Sequence, residues 1–133
     1  MRKKFSNQEI FNYAEALTKT FLEDSKDIQL PVKVNFYLQK NIKTFITAAQ
    51  EIEDARLTIG KKYGTINIEK DAYFISDPEK LEQAQQEIKQ LLSIDQILEV
   101  YMISLEDLQD VKLTVAQMNA MLFMIDEEEK EIW

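Results

Sequence analysis

The sequence predicts an α+β fold that is mainly helical: a long antiparallel helical hairpin, two further helices and a small β-sheet, in a single domain spanning residues 1–133. Three observations carry this reading. Between Leu38 and Tyr63 apolar residues recur at alternating intervals of four and three, the period of a seam between packed helices. Two capping signatures, Ser6 with Glu9 and Thr114 with Gln117, stand directly before apolar runs. Strand-forming texture is confined to short segments, with Leu98–Ser104 (Leu-Glu-Val-Tyr-Met-Ile-Ser) the richest of them.

Taken in order, Arg2–Phe5 is a short strand candidate, and Ser6 opens the first helix. Ile10, Ala14, Leu17 and Phe21 follow at spacings of four, three and four, one apolar stripe. Glu23 to Asp27 is a polar connection. Pro31 begins the long helix, since its missing N–H costs nothing in a first turn. The seam then runs Leu38, Ile42, Phe45, Ala49, Ile52, Arg56, Ile59 and Tyr63, a helix of roughly thirty residues or about 45 Å. Arg56 stands out because it is charged and on the seam; its stem should pack while the guanidinium meets a carboxylate or water. Gly60 weakens the end of the helix and Gly64 terminates it.

Thr65–Ser76 reads as a small hairpin or irregular tip. Ser76, Asp77 and Pro78 start the returning helix, whose Leu81, Ala84, Ile88 and Leu91 match the seam of the long one. Leu98–Ser104 is expected to pair with Arg2–Phe5. After the cap at Thr114 the last helix is apolar on nearly every side from Val115 to Ile125, then stops at Asp126-Glu127-Glu128-Glu129.

The composition excludes much chemistry. There is no histidine and no cysteine, so there is no thiolate nucleophile, no Ser-His-Asp triad, no disulfide and no ordinary zinc site. Two glycines cannot build a phosphate-cradling loop or a dinucleotide fingerprint. The net charge is −8, and residues 95–133 carry all of it, with ten acidic and two basic side chains. Such a surface repels phosphate, so nucleic-acid binding is not expected. The basic start at Arg2-Lys3-Lys4 lacks an apolar run behind it, and no stretch reaches the length of a spanning helix, so neither export nor a membrane partner is expected.

What chemistry remains would come from carboxylates. Glu106, Asp107 and Asp110, or Asp126 to Glu129, are the only runs that suggest magnesium, and adjacent acids at a helix end more commonly sit in water. No cofactor, metal or catalytic residue is assigned. The methionine-rich last helix is the most suggestive feature, because methionine adapts to irregular partners. It is either a central core helix or a surface for a protein partner or for self-association. On the second reading the contact residues are Met118, Met121, Leu122, Met124, Asp126, Glu127, Glu128 and Glu129, together with the exposed side of the long helix.

Three segments in order carry a resemblance: the start Lys4-Phe5-Ser6-Asn7, the run Leu30-Pro31-Val32-Lys33-Val34 with Lys40-Asn41-Ile42, and Leu113 to Ile125. Together they resemble a family of small uncharacterised proteins encoded by phages and prophages of Gram-positive bacteria. The resemblance implies a setting rather than a reaction: the bacterial host cytoplasm, with association to the virion, and a non-enzymatic role through protein–protein contacts in particle or tail morphogenesis. The rival reading is a host-interaction protein whose acidic last third inhibits a defence or nucleic-acid enzyme by imitating a phosphate backbone.

Overall fold

A computed structural model describes residues 1–23, 28–67, 69–70 and 72–126. Strand β1 (Arg2–Ser6) leads into helix α1 (Asn7–Leu17), which widens into π-helical turns over Thr18–Glu23. Helix α2 (Val32–Tyr63) is followed by a β-hairpin, β2 (Thr65–Asn67) and β3 (Ala72–Phe74). Helix α3 (Pro78–Ser93) returns along the end of α2, and β4 (Asp95–Glu99) pairs antiparallel with β1. A 3-10 turn at Glu106–Leu108, helix α4 (Val115–Met121) and a second 3-10 turn at Leu122–Met124 complete the described chain. The fold is α+β and mainly helical, as the spacing predicts.

Local chemistry explains the boundaries. The Ser6 hydroxyl accepts from the Glu9 amide at 3.1 Å while the Glu9 carboxylate accepts from the Ser6 amide at 2.9 Å. Thr114 and Gln117 repeat this arrangement at α4, at 3.1 and 2.8 Å. Asp77 caps α3 through the Glu79 amide, with Pro78 in the first turn. The stripe Ile10, Ala14, Leu17 and Phe21 is buried throughout, across the change from α to π winding.

Helix α2 runs 32 residues and carries the core on Val34, Leu38, Ile42, Phe45, Ala48 and Ile52. Ala48, rather than the expected Ala49, fills the buried slot; Ala49 is half-buried. Arg56 on the seam donates from Nε to Glu53 Oε2 at 2.9 Å and lies 5.2 Å from the centre of the Tyr73 ring. Gly60 is buried because β3 packs there: a Cβ at this position would run into the Tyr73 ring. Gly64 ends the helix in an extended conformation, against the Phe74 carbonyl, not in a left-handed turn.

The sheet departs from the expected register. The pairing strand is Asp95–Glu99, so the expected span Leu98–Ser104 belongs to it only at Leu98 and Glu99. The ladder closes where Met1 and Val100 exchange bonds at 2.8 Å. Past that pair the chain leaves the sheet and lies along the core, with Val100 and Ile103 buried and Tyr101 and Leu105 exposed. Their β-forming character serves burial, and Ile103 makes only an isolated parallel bridge to Ile125.

Four aromatic rings tie the layers together. Phe5 from β1, Tyr13 from α1, Phe45 from α2 and Phe123 from the last turn lie with ring centres 4.9–5.7 Å apart, mostly tilted or edge-on. Burial in this cluster, together with the Glu9 carboxylate, holds the Tyr13 hydroxyl pKa above its usual value.

Candidate functional site

The last helix is part of this core. Met121 and Met124 have no exposed surface, and Phe123 and Ile125 are buried beside them. Met121 and Met124 are therefore not contact residues in the folded chain, a correction to the expected surface. The physical reason is that α4 gives way after Met121 to a 3-10 turn, in which residues three apart eclipse, so Met121 and Met124 fall on one side, toward the core. Met118 is half-buried against the core, and Leu122 is partly exposed. Asp126 is half-buried, its amide donating to the Ile103 carbonyl at 2.8 Å. Glu127, Glu128 and Glu129 lie outside the described residues.

The carboxylates before α4 do not converge. Asp107 turns back on its own segment: it accepts from the Ser104 amide at 2.9 Å, and its own amide donates to the Ser104 hydroxyl at 3.2 Å. Lys33 of α2 donates to the same carboxylate at 3.3 Å. The Ser104 amide first, and Lys33 with it, hold Asp107 below the usual aspartate range. Asp110 adopts a left-handed φ of 66° in the following turn. Among the described residues no group of three acidic side chains is placed to hold a metal ion.

The surface that stands out lies at the start of α2. Asn41, fully buried, grips the backbone of Tyr101 from both sides, donating to its carbonyl and accepting from its amide, each at 2.9 Å. This clamp and the Lys33–Asp107 pair fix residues 101–107 along the helix. The Tyr101 ring then sits 5.4 Å from Tyr37, which neighbours Phe36 at 6.4 Å. Lys33 lies over Tyr37 and Lys40 over Phe36, at 5.7 and 5.4 Å from the ring centres. Val32 is 88% exposed, Phe36 55%, Tyr101 39% and Leu105 38%. No family model, no curated protein and no solved structure matches the chain.

Sequence reasoning named the exposed side of the long helix but not these residues. The available signal is that Val32 and Phe36, four apart, fall off the Leu38–Ile42–Phe45 stripe, so one helix turn carries apolar groups on the side away from the core. A concavity of about 650 Å³ runs between α1 and α4 past Tyr13, Lys19, Thr20, Gln117 and Asn119. It is open to solvent, and its polar groups are single hydroxyls and amides with one lysine. Among the described residues no helix is long and apolar enough to cross a membrane.

Proposed function

We propose that this is a non-enzymatic protein, encoded by a phage or prophage, that acts through protein–protein contacts in particle or tail morphogenesis. The observation supporting contact as its mode of action is the exposed aromatic and aliphatic side chains of Val32, Phe36, Tyr101 and Leu105, with the Tyr101 backbone held by Asn41 and its ring reaching Phe36 through Tyr37. Exposed apolar groups gathered on an ordered backbone mark surfaces that another protein covers. The setting, a bacterial host cytoplasm with association to the virion, draws on the sequence resemblance alone. Tagged wild-type protein and a Leu105→Ser variant, captured from infected cells, test the reading. Wild type should retain particle components and the variant should lose them while keeping its helical circular dichroism. Capture of nothing by wild type overturns it.

The acidic balance of residues 95–133 favours one other reading, inhibition of a basic host enzyme by phosphate mimicry. The two separate on salt. A mimic releases its partner steeply as salt rises, whereas an apolar contact changes little.

A further inference from the structure

The outward face of α2 has a charge pattern that is complementary to itself. At 100° per residue, the side opposite the buried stripe carries Val32, Phe36, Lys40, Lys43, Thr47, Glu51, Asp54, Thr58 and Lys61, and all of them are exposed. Between Ile28 and Gln50 there is no Asp or Glu, in a chain that carries 24 of them. Glu51 and Asp54 then follow within one turn of each other. Thus the face is basic at Lys40 and Lys43, acidic at Glu51 and Asp54, and basic again at Lys61 near its end. Among the described residues Lys40, Lys43, Glu51 and Asp54 meet no opposite charge; the Asp54 carboxylate accepts from the Gln50 amide at 3.0 Å.

The sign changes at Thr47, and Thr47 is also the middle of the helix, which runs from Val32 to Tyr63. We infer that this face pairs with the same face of a second copy of the chain, α2 against α2 in antiparallel orientation, about a twofold axis at Thr47. The register that gives full overlap of the two helices is the one that sets Lys40 and Lys43 of each copy over Glu51 and Asp54 of the other. A twofold interface requires this self-complementarity, because every contact occurs twice. The same register brings Phe36 level with Thr58 of the second copy, next to the stem of its Lys61, so the exposed ring gains cover at both ends of the contact. In this register Lys33 is level with Lys61 of the second copy, one like-charge contact at each end of the interface, and Lys33 is already tied to Asp107. One exposed ion pair contributes little, so the association draws on four pairs acting together and weakens with salt.

This inference rests on the reading that the protein acts through protein contacts, and its test is separate from that one. Sedimentation equilibrium on the full chain at low salt reads the state directly. Wild type should be a dimer in concentration-dependent equilibrium. A Lys40→Glu/Lys43→Glu variant and a Glu51→Lys/Asp54→Lys variant should each raise the dissociation constant by about tenfold or more. An equimolar mixture of the two variants should regain dimers, because each then presents the charges the other lacks. All four positions are exposed, and circular dichroism confirms that both variants remain folded. Wild type that stays monomeric at millimolar concentration overturns the inference, as do variants that dimerise like wild type or a mixture that remains monomeric. A monomer that still captures particle components would leave the contact reading standing and place a different protein on this face.

Discussion

At the scale of single residues, Asn41 joins the fold to the candidate surface. It is polar, completely buried and sits in the core stripe of α2, where leucine or isoleucine would fill the space. Its amide satisfies both backbone groups of Tyr101, just where the β1–β4 ladder has closed and no strand remains to do so. Asn41→Ala leaves a buried N–H and C=O without partners and a cavity beside Met124, a loss of about 2–4 kcal/mol. Urea denaturation measures it; a loss under about 0.5 kcal/mol would mean that water replaces the amide. Asp107 works at the same scale through charge. Its pKa is depressed in the folded chain, so its contribution is present above about pH 4, the ordinary aspartate value, and disappears as pH falls through the lower folded value. Urea midpoints of wild type and Asp107→Asn should therefore differ at pH 7 and converge below pH 4. A constant difference across that range would assign the effect to shape rather than charge.

Among the elements, long α2 was the most legible and the short strands the least. A stripe repeated over about seven turns leaves little choice of face, and capping residues with fixed geometry mark where helices start. A five-residue strand has no such redundancy. Val100 and Ile103 have the composition of a strand because they are buried, and burial, not pairing, is what their sequence encodes. The aromatic surface was hidden for a related reason: Asn41 looks like any polar residue until Tyr101 is seen to run beside it. Gly60 shows the same limit inside a helix. Its presence reads as weakness, since glycine costs about 1 kcal/mol relative to alanine in a helix interior. In the fold it is the point where Tyr73 of β3 approaches the helix backbone. Gly60→Ala should therefore destabilise the tip despite its better helix propensity, and Gly60→Ala combined with Tyr73→Ala should recover the loss. Amide hydrogen exchange over residues 60–74 reads this directly. Uniform stabilisation by Gly60→Ala alone would show that the ring moves aside at no cost.

For the whole molecule, the question is which apolar groups hold the chain together and which are offered outward, and a methionine-rich segment does not answer it by composition. Surrounding a helix on all sides is difficult in a chain of this size. The fold meets the difficulty by breaking the last helix after Met121, so that Phe123, Met124 and Ile125 reach the core from a 3-10 turn and an extended residue while Leu122 stays at the surface. Lys3 of β1, distant in sequence, fastens this turn by donating to the Phe123 carbonyl at 2.8 Å. Met121→Ala and Met124→Ala should each cost about 2–4 kcal/mol and lower the midpoint of cooperative unfolding. Leu122→Ser, one position away from the first, should change stability by less than about 0.5 kcal/mol. Phe36→Ser should resemble Leu122→Ser in stability, because neither side chain belongs to the core, yet only Phe36→Ser should weaken association. Thermal unfolding followed by circular dichroism, paired with sedimentation on the same samples, separates the two properties. If Phe36→Ser unfolds the protein as Met121→Ala does, the start of α2 is core rather than surface. Association would then have to use another face.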